Sequence, residues 1–178
     1  MAKRENMGHT RKLVFIALLV TQGVVLSFFE RFIPFNMGVP GAKLGLANII
    51  TLASLYIFPF KDTLTIVLLR SFLASFLLGS MSSFAYSISG GILSFLAMYG
   101  VMKLLGDSIS EVSVSIIGAI FHNIGQLLMA SIILSNIKMI YYLPFLMLSA
   151  VATGLIVGLT GKILIKYLKK IVALNGNY

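Results

Sequence analysis

The residues here that could do chemistry are few, and they stand inside apolar runs. Arg70 interrupts Val67-Leu68-Leu69-Arg70-Ser71. A charged side chain at membrane depth costs about 2.5–3.5 kcal/mol on insertion scales. Two roles would explain it: contact with an anion or substrate inside a bundle, or structural bonds to backbone carbonyls with snorkelling. A second group lies in Phe121-His122-Asn123-Ile124-Gly125-Gln126. Gly118, His122, Gln126 and Ala130 recur every four residues and so share one helix face. Small and polar residues on one stripe fit a cavity wall or a close helix contact. Ser87 and Gly91 are also four apart, which suits close packing or the lip of a cavity. Gly154, Gly158 and Gly161 read as packing.

The most informative stretch is Pro40-Gly41-Ala42-Lys43-Leu44-Gly45-Leu46-Ala47-Asn48-Ile49. Glycine permits close backbone approach. A lysine at a helix start works against the helix dipole, and an anionic ligand bound there would offset that. The competing reading is an interfacial Lys43 that snorkels to lipid headgroups. Lys43, Asn48, Arg70, Ser87, His122, Asn123 and Gln126 are therefore the candidate ligand contacts, gathered in the outer half of a bundle.

Other chemistry is excluded by what is missing. With no cysteine, there are no disulfides, thiolate nucleophiles or Cys-based metal sites. Histidine occurs only at 9 and 122, so no HExxH site exists. Gly161-Lys162 resembles the end of a Walker A loop, but Ile156 and Ile163 replace the first glycine and the closing Ser/Thr. The five acidic residues, Glu5, Glu30, Asp62, Asp107 and Glu111, form no cluster able to hold magnesium ions on a diphosphate. No cofactor, metal or catalytic activity is expected.

These side chains need elements to carry them, and the composition names the solvent. Hydrophobic residues make up 58% of the 178 and charged residues 11%. A soluble domain this poor in charge could not cover its own surface. The net charge of +9 sits at the ends and in short loops, as suits an anionic membrane face rather than nucleic acid. A spanning helix takes about 20 apolar residues, and six segments approach that: about 13–33, 44–58, 63–79, 84–105, 112–134 and 140–165. The second is short, bounded by Pro40-Gly41 and Pro59, and could begin inside a protein-lined cavity. With the N-terminus inside, ten basic residues fall on the cytoplasmic side, three (Arg31, Lys43, Lys138) outside, and Arg70 within a span. The positive-inside rule then places both ends in the cytoplasm. The expected fold is an all-α, polytopic six-helix membrane bundle. Its parts are a cytoplasmic segment (1–12), the membrane domain (13–168) and a cytoplasmic tail (169–178).

Gly41 to Ile49 resembles the signature of the Gx transporter family, often labelled heptaprenyl diphosphate synthase component I. Ser87-Ile88-Ser89-Gly90-Gly91 and Gly118 to Gln126 resemble its later signatures. The resemblance runs over roughly residues 12–168. That family is in turn similar to the substrate-binding S components of energy-coupling-factor (ECF) transporters. The resemblance implies six helices with both ends inside, a site near the outer face, and a loop after the first helix that closes it. It also implies a shared transmembrane subunit and ATPase pair, docked on small residues of the first helix. Ala17 and Thr21 are the nearest match to that alanine-x-x-x-alanine pattern.

The expected function is small-molecule uptake at the bacterial cytoplasmic membrane by an S-component-like protein without its own ATPase. The basic groups favour an anionic or electron-rich ligand. The alternative is an accessory membrane subunit of heptaprenyl diphosphate synthase in isoprenoid-quinone synthesis, and a third reading is a scaffold.

Overall fold

The computed structural model describes residues 8–30, 32, 45–78 and 81–174. Among them the chain forms six α-helices and two short 3-10 turns, with no strand. The helices are α1 (His9–Glu30), α2 (Asn48–Ile57), α3 (Phe60–Leu78), α4 (Met81–Leu105), α5 (Glu111–Ile133) and α6 (Leu143–Leu174). Four of these regions are long and apolar enough to cross a membrane: α1, α4, α5 and the stretch ending in α6. α3 is 19 residues long but carries Lys61, Asp62 and Arg70. The protein is a multi-pass helical membrane bundle.

Several boundaries differ from the hydrophobicity pattern. α1 begins at His9, taking in Arg11 and Lys12, because helical pairing does not stop where the apolar run stops. Residues 137–142 form a 3-10 turn before α6, which then continues as a helix to Leu174, past the expected tail boundary. The main correction is α2. It has only ten residues, about 15 Å at 1.5 Å per residue, or half a hydrocarbon core.

Local chemistry sets its ends. Phe58 is extended (φ −107°, ψ 156°), the conformation forced on a residue before proline, and Pro59 stops the helix. At the start, Ala47 offers no side-chain cap. Eight of the ten residues are buried, from Asn48 to Leu55. A half-length helix is viable at membrane depth only where protein surrounds it. Leu52, Ala53 and Leu55 pack with Val67, Phe95, Met98, Val114 and Ile165, and Ile50 packs with Ile16, Leu19, Val20 and Ile66.

Glycines set the closest contacts around this centre. A Cβ on Gly154 or Gly158 of α6 would lie 2.7 Å from Cα of Ile116 or Val112 of α5. One on Gly125 of α5 would lie 2.7 Å from the Ser89 carbonyl oxygen of α4. α6 therefore uses its glycines for packing, as the sequence suggests.

The two ends of the bundle differ in charge. Lys12 and Asp62 form an ion pair of 2.8 Å, which places the starts of α1 and α3 together. Lys169 lies over the Tyr56 ring at 5.3 Å, adding the ends of α2 and α6 to the same face. α2 thus runs from mid-depth toward the basic end.

Candidate functional site

The helix register brings five elements to one polar cluster at mid-depth. Arg70 lies eight residues beyond Asp62, about 12 Å into the bundle at 1.5 Å per residue. Its stem rests on Gly23 of α1, where a Cβ would be 3.1 Å from the arginine Cδ. One guanidinium nitrogen, Nη2, donates to Asn48 Oδ1 and to Thr51 Oγ1, each at 3.1 Å. Asn48 and Thr51 are one turn apart on α2, so Arg70 grips the first turn of the half-helix. The arginine is only 5% exposed and Asn48 only 4%. Among the described residues, Arg70 Nε and Asn48 Nδ2 have no hydrogen-bond partner.

Glu30, at the end of α1, closes the cluster from the other side. It is buried and accepts a hydrogen bond from the Gly45 backbone N–H. Its carboxylate also interacts electrostatically with Arg70. Gly45 has φ +87°, a left-handed conformation that glycine adopts without steric cost. A side chain there would also crowd Asn48 Nδ2 and the His122 ring, each 3.1 Å from the Cβ position.

His122 of α5 fits between two glycines. Gly45 touches one part of the ring, and a Cβ on Gly90 of α4 would lie 2.9 Å from Nδ1. His122 Nε2 and Gln126 Nε2 are 2.8 Å apart. Gly91, next on α4, packs closely on α3: its Cβ position is 3.3 Å from Val67 Cγ1, 3.5 Å from Ser71 Oγ and 3.6 Å from Arg70 Nη2. The shared face of Gly118, His122 and Gln126 thus points at α4, with Gly118 against Met98.

The structure therefore joins Asn48, Arg70, His122 and Gln126. Ser87 is buried one turn before Gly91. Asn123 does not join them. Its Nδ2 donates to the Leu146 carbonyl of α6 at 3.0 Å, because one residue along a helix turns the side chain about 100°. Asn123 ties α5 to α6. Lys43 lies outside the described residues. Ala17 and Thr21 are both exposed on α1, and Thr21 Oγ1 donates to the Ala17 carbonyl at 2.9 Å.

Two participants were not singled out from sequence: Glu30 and Thr51. Glu30 stands beside Arg31 at the end of an apolar run and reads as an interfacial charge. The signal for Thr51 was its i+3 spacing from Asn48. Among the described residues, no three His, Cys, Asp or Glu side chains are grouped to hold a metal ion.

This is the architecture of an integral membrane protein with a polar centre built around a half-helix. A family model for heptaprenyl diphosphate synthase component I matches residues 19–164, and the chain belongs to that family. No curated protein and no solved structure matches it.

Proposed function

We propose that the protein is a membrane small-molecule uptake subunit, S-component-like and non-catalytic, whose ligand binds at the Arg70 cluster. The observation that carries this reading is the pair of buried donors, Arg70 Nε and Asn48 Nδ2, at the first turn of α2. An apolar surround with a few convergent polar groups is the usual form of a small-molecule site. Discontinuous helices whose N-termini meet ligand at mid-depth are a recurring transporter device. Glu30 offsets the charge of Arg70, so the two unmet N–H donors favour a ligand that offers hydrogen-bond acceptors. The sequence carries no nucleotide-binding loop, so energy for uptake would come from a partner, with the exposed Ala17–Thr21 face of α1 as a docking surface.

The family's description supports a second reading, an accessory membrane subunit in heptaprenyl diphosphate synthesis. One experiment separates the two. The full chain is purified mildly from its host, and retained small molecules and proteins are identified by mass spectrometry. The uptake reading expects a retained small molecule that is lost in Arg70→Lys, which keeps the charge and removes the Nε donor. A prenyltransferase held equally by both proteins, with no small molecule, would replace it with the accessory reading.

A further inference from the structure

α6 is too long for the membrane. Its 32 residues extend about 48 Å at 1.5 Å per residue, against a hydrocarbon core of about 30 Å. Counted from Leu143, the hydrocarbon ends after about 20 residues, close to Lys162. The excess carries Lys162, Lys166 and Lys169, spaced four and three apart and so on one face.

That face meets the start of α5. Lys162, Lys166 and Lys169 line a groove of about 500 Å³ with Ile163, Ile165 and Glu111. Ile165 is buried and forms part of the apolar core beneath, while Ile163 is exposed on the outer wall. Glu111 is the one carboxylate among the lining residues, so cations outnumber it three to one. Among the described residues, the ion pair at this end of the bundle joins Lys12 to Asp62, outside the groove. Lys169 instead faces the Tyr56 ring. The groove therefore combines an almost wholly apolar lining, to which the stems of three lysines contribute, with an exposed wall at the depth where lipid headgroups lie.

We propose that the groove between the start of α5 and the end of α6 binds the phosphate headgroup of an anionic lipid in the leaflet at the basic face. The ammoniums hold the phosphate, Ile163 lies along the first carbons of the chain, and Glu111 limits the charge the groove accepts. The site is separate from the Arg70 cluster and does not depend on its ligand.

The test uses the full chain in nanodiscs of phosphatidylcholine mixed with phosphatidylglycerol, followed by native mass spectrometry of retained lipid. A basic residue near an anionic surface is worth about 1 kcal/mol, roughly fivefold in preference. Each of Lys162→Gln, Lys166→Gln and Lys169→Gln should lower phosphatidylglycerol retention by about that factor, and the triple variant should approach parity. Glu111→Gln should raise retention. Lys103→Gln, at the same end but outside the groove, is the control for the general surface field. Equal losses at Lys103 and in the groove would overturn the proposal. So would parity in the unaltered protein, or inorganic diphosphate binding to detergent-solubilised protein where phosphatidylglycerol does not, which would indicate a soluble phosphate ligand.

Discussion

Replacing Arg70 by methionine should show how the cluster is held together. The substitution keeps an unbranched stem against Gly23 and removes the guanidinium. Two hydrogen bonds disappear, to Asn48 Oδ1 and Thr51 Oγ1. Bonds to a charged group contribute about 1.5–3 kcal/mol each, but relief from burying the cation offsets part of that. The Glu30 carboxylate also loses its electrostatic interaction with Arg70. Two charge-assisted bonds, less the relief from desolvation, give an expected loss of about 3–5 kcal/mol. Glu30→Gln keeps an acceptor for the Gly45 N–H and removes only the charge, so about 1–3 kcal/mol is expected. The double variant loses the Glu30–Arg70 interaction once rather than twice and should fall short of the sum by about 1–3 kcal/mol. The chain holds no cysteine, so a Ser94→Cys reporter, with the native serine at 0% exposure, labels with a thiol reagent only in opened molecules. At 1.36 kcal/mol per decade, Arg70→Met should speed labelling between about a hundredfold and several thousandfold. Losses that add within about 0.5 kcal/mol would refute the Glu30–Arg70 coupling.

Two further predictions use the same cysteine-free background. Gly158→Ala puts a methyl group 2.7 Å from Val112 Cα and should destabilise by about 1–3 kcal/mol, whereas Gly100→Ala, with nothing within 4 Å, should be neutral or slightly stabilising. Equal effects, measured by reporter labelling, would contradict the α5–α6 contact. Ile137→Cys and Ser108→Cys should react with a membrane-impermeant maleimide from opposite sides of the membrane, Ile137→Cys from outside. Labelling from one side would contradict a crossing by α5.

Much of this arrangement was legible because the bilayer leaves a chain few choices. Six helices follow from apolar length, and the end of α2 follows from Pro59. Its shortness also suggested a start inside protein. The rotation of each helix was less legible. α5 buries ten residues on more than one side, so periodicity could not say which of His122 and Asn123 faced the cluster. Neighbouring glycines decided it. Gly90 admits the His122 ring on one side, while Leu146 on α6 supplies the carbonyl for Asn123. Glu30 was hidden for a different reason. A carboxylate at the end of an apolar run looks interfacial until the fold places Gly45 and Arg70 beside it. Arg70, conversely, was visible as an anomaly, but its structural duty toward α2 depends on contacts 19 and 22 residues away in sequence.

That double duty bears on what the cluster can bind. A helix N-terminus carries a partial positive charge and favours an anion. Here the chain places a cation against the first turn of α2, although a polar neutral side chain could have satisfied Asn48 and Thr51. Glu30 answers that positive charge, and the first N–H groups of α2 already bond to the carbonyls of Gly45, Leu46 and Ala47. A purely structural arginine would be expected to bond out its nitrogens, since each unmet buried donor costs about 1–3 kcal/mol. Arg70 Nε and Asn48 Nδ2 instead remain unmet, although Gly45, Gly90 and Gly91 let the neighbouring side chains pack closely. Unmet donors held in place at this cost support the proposed site, because such donors must stay in position before a ligand arrives.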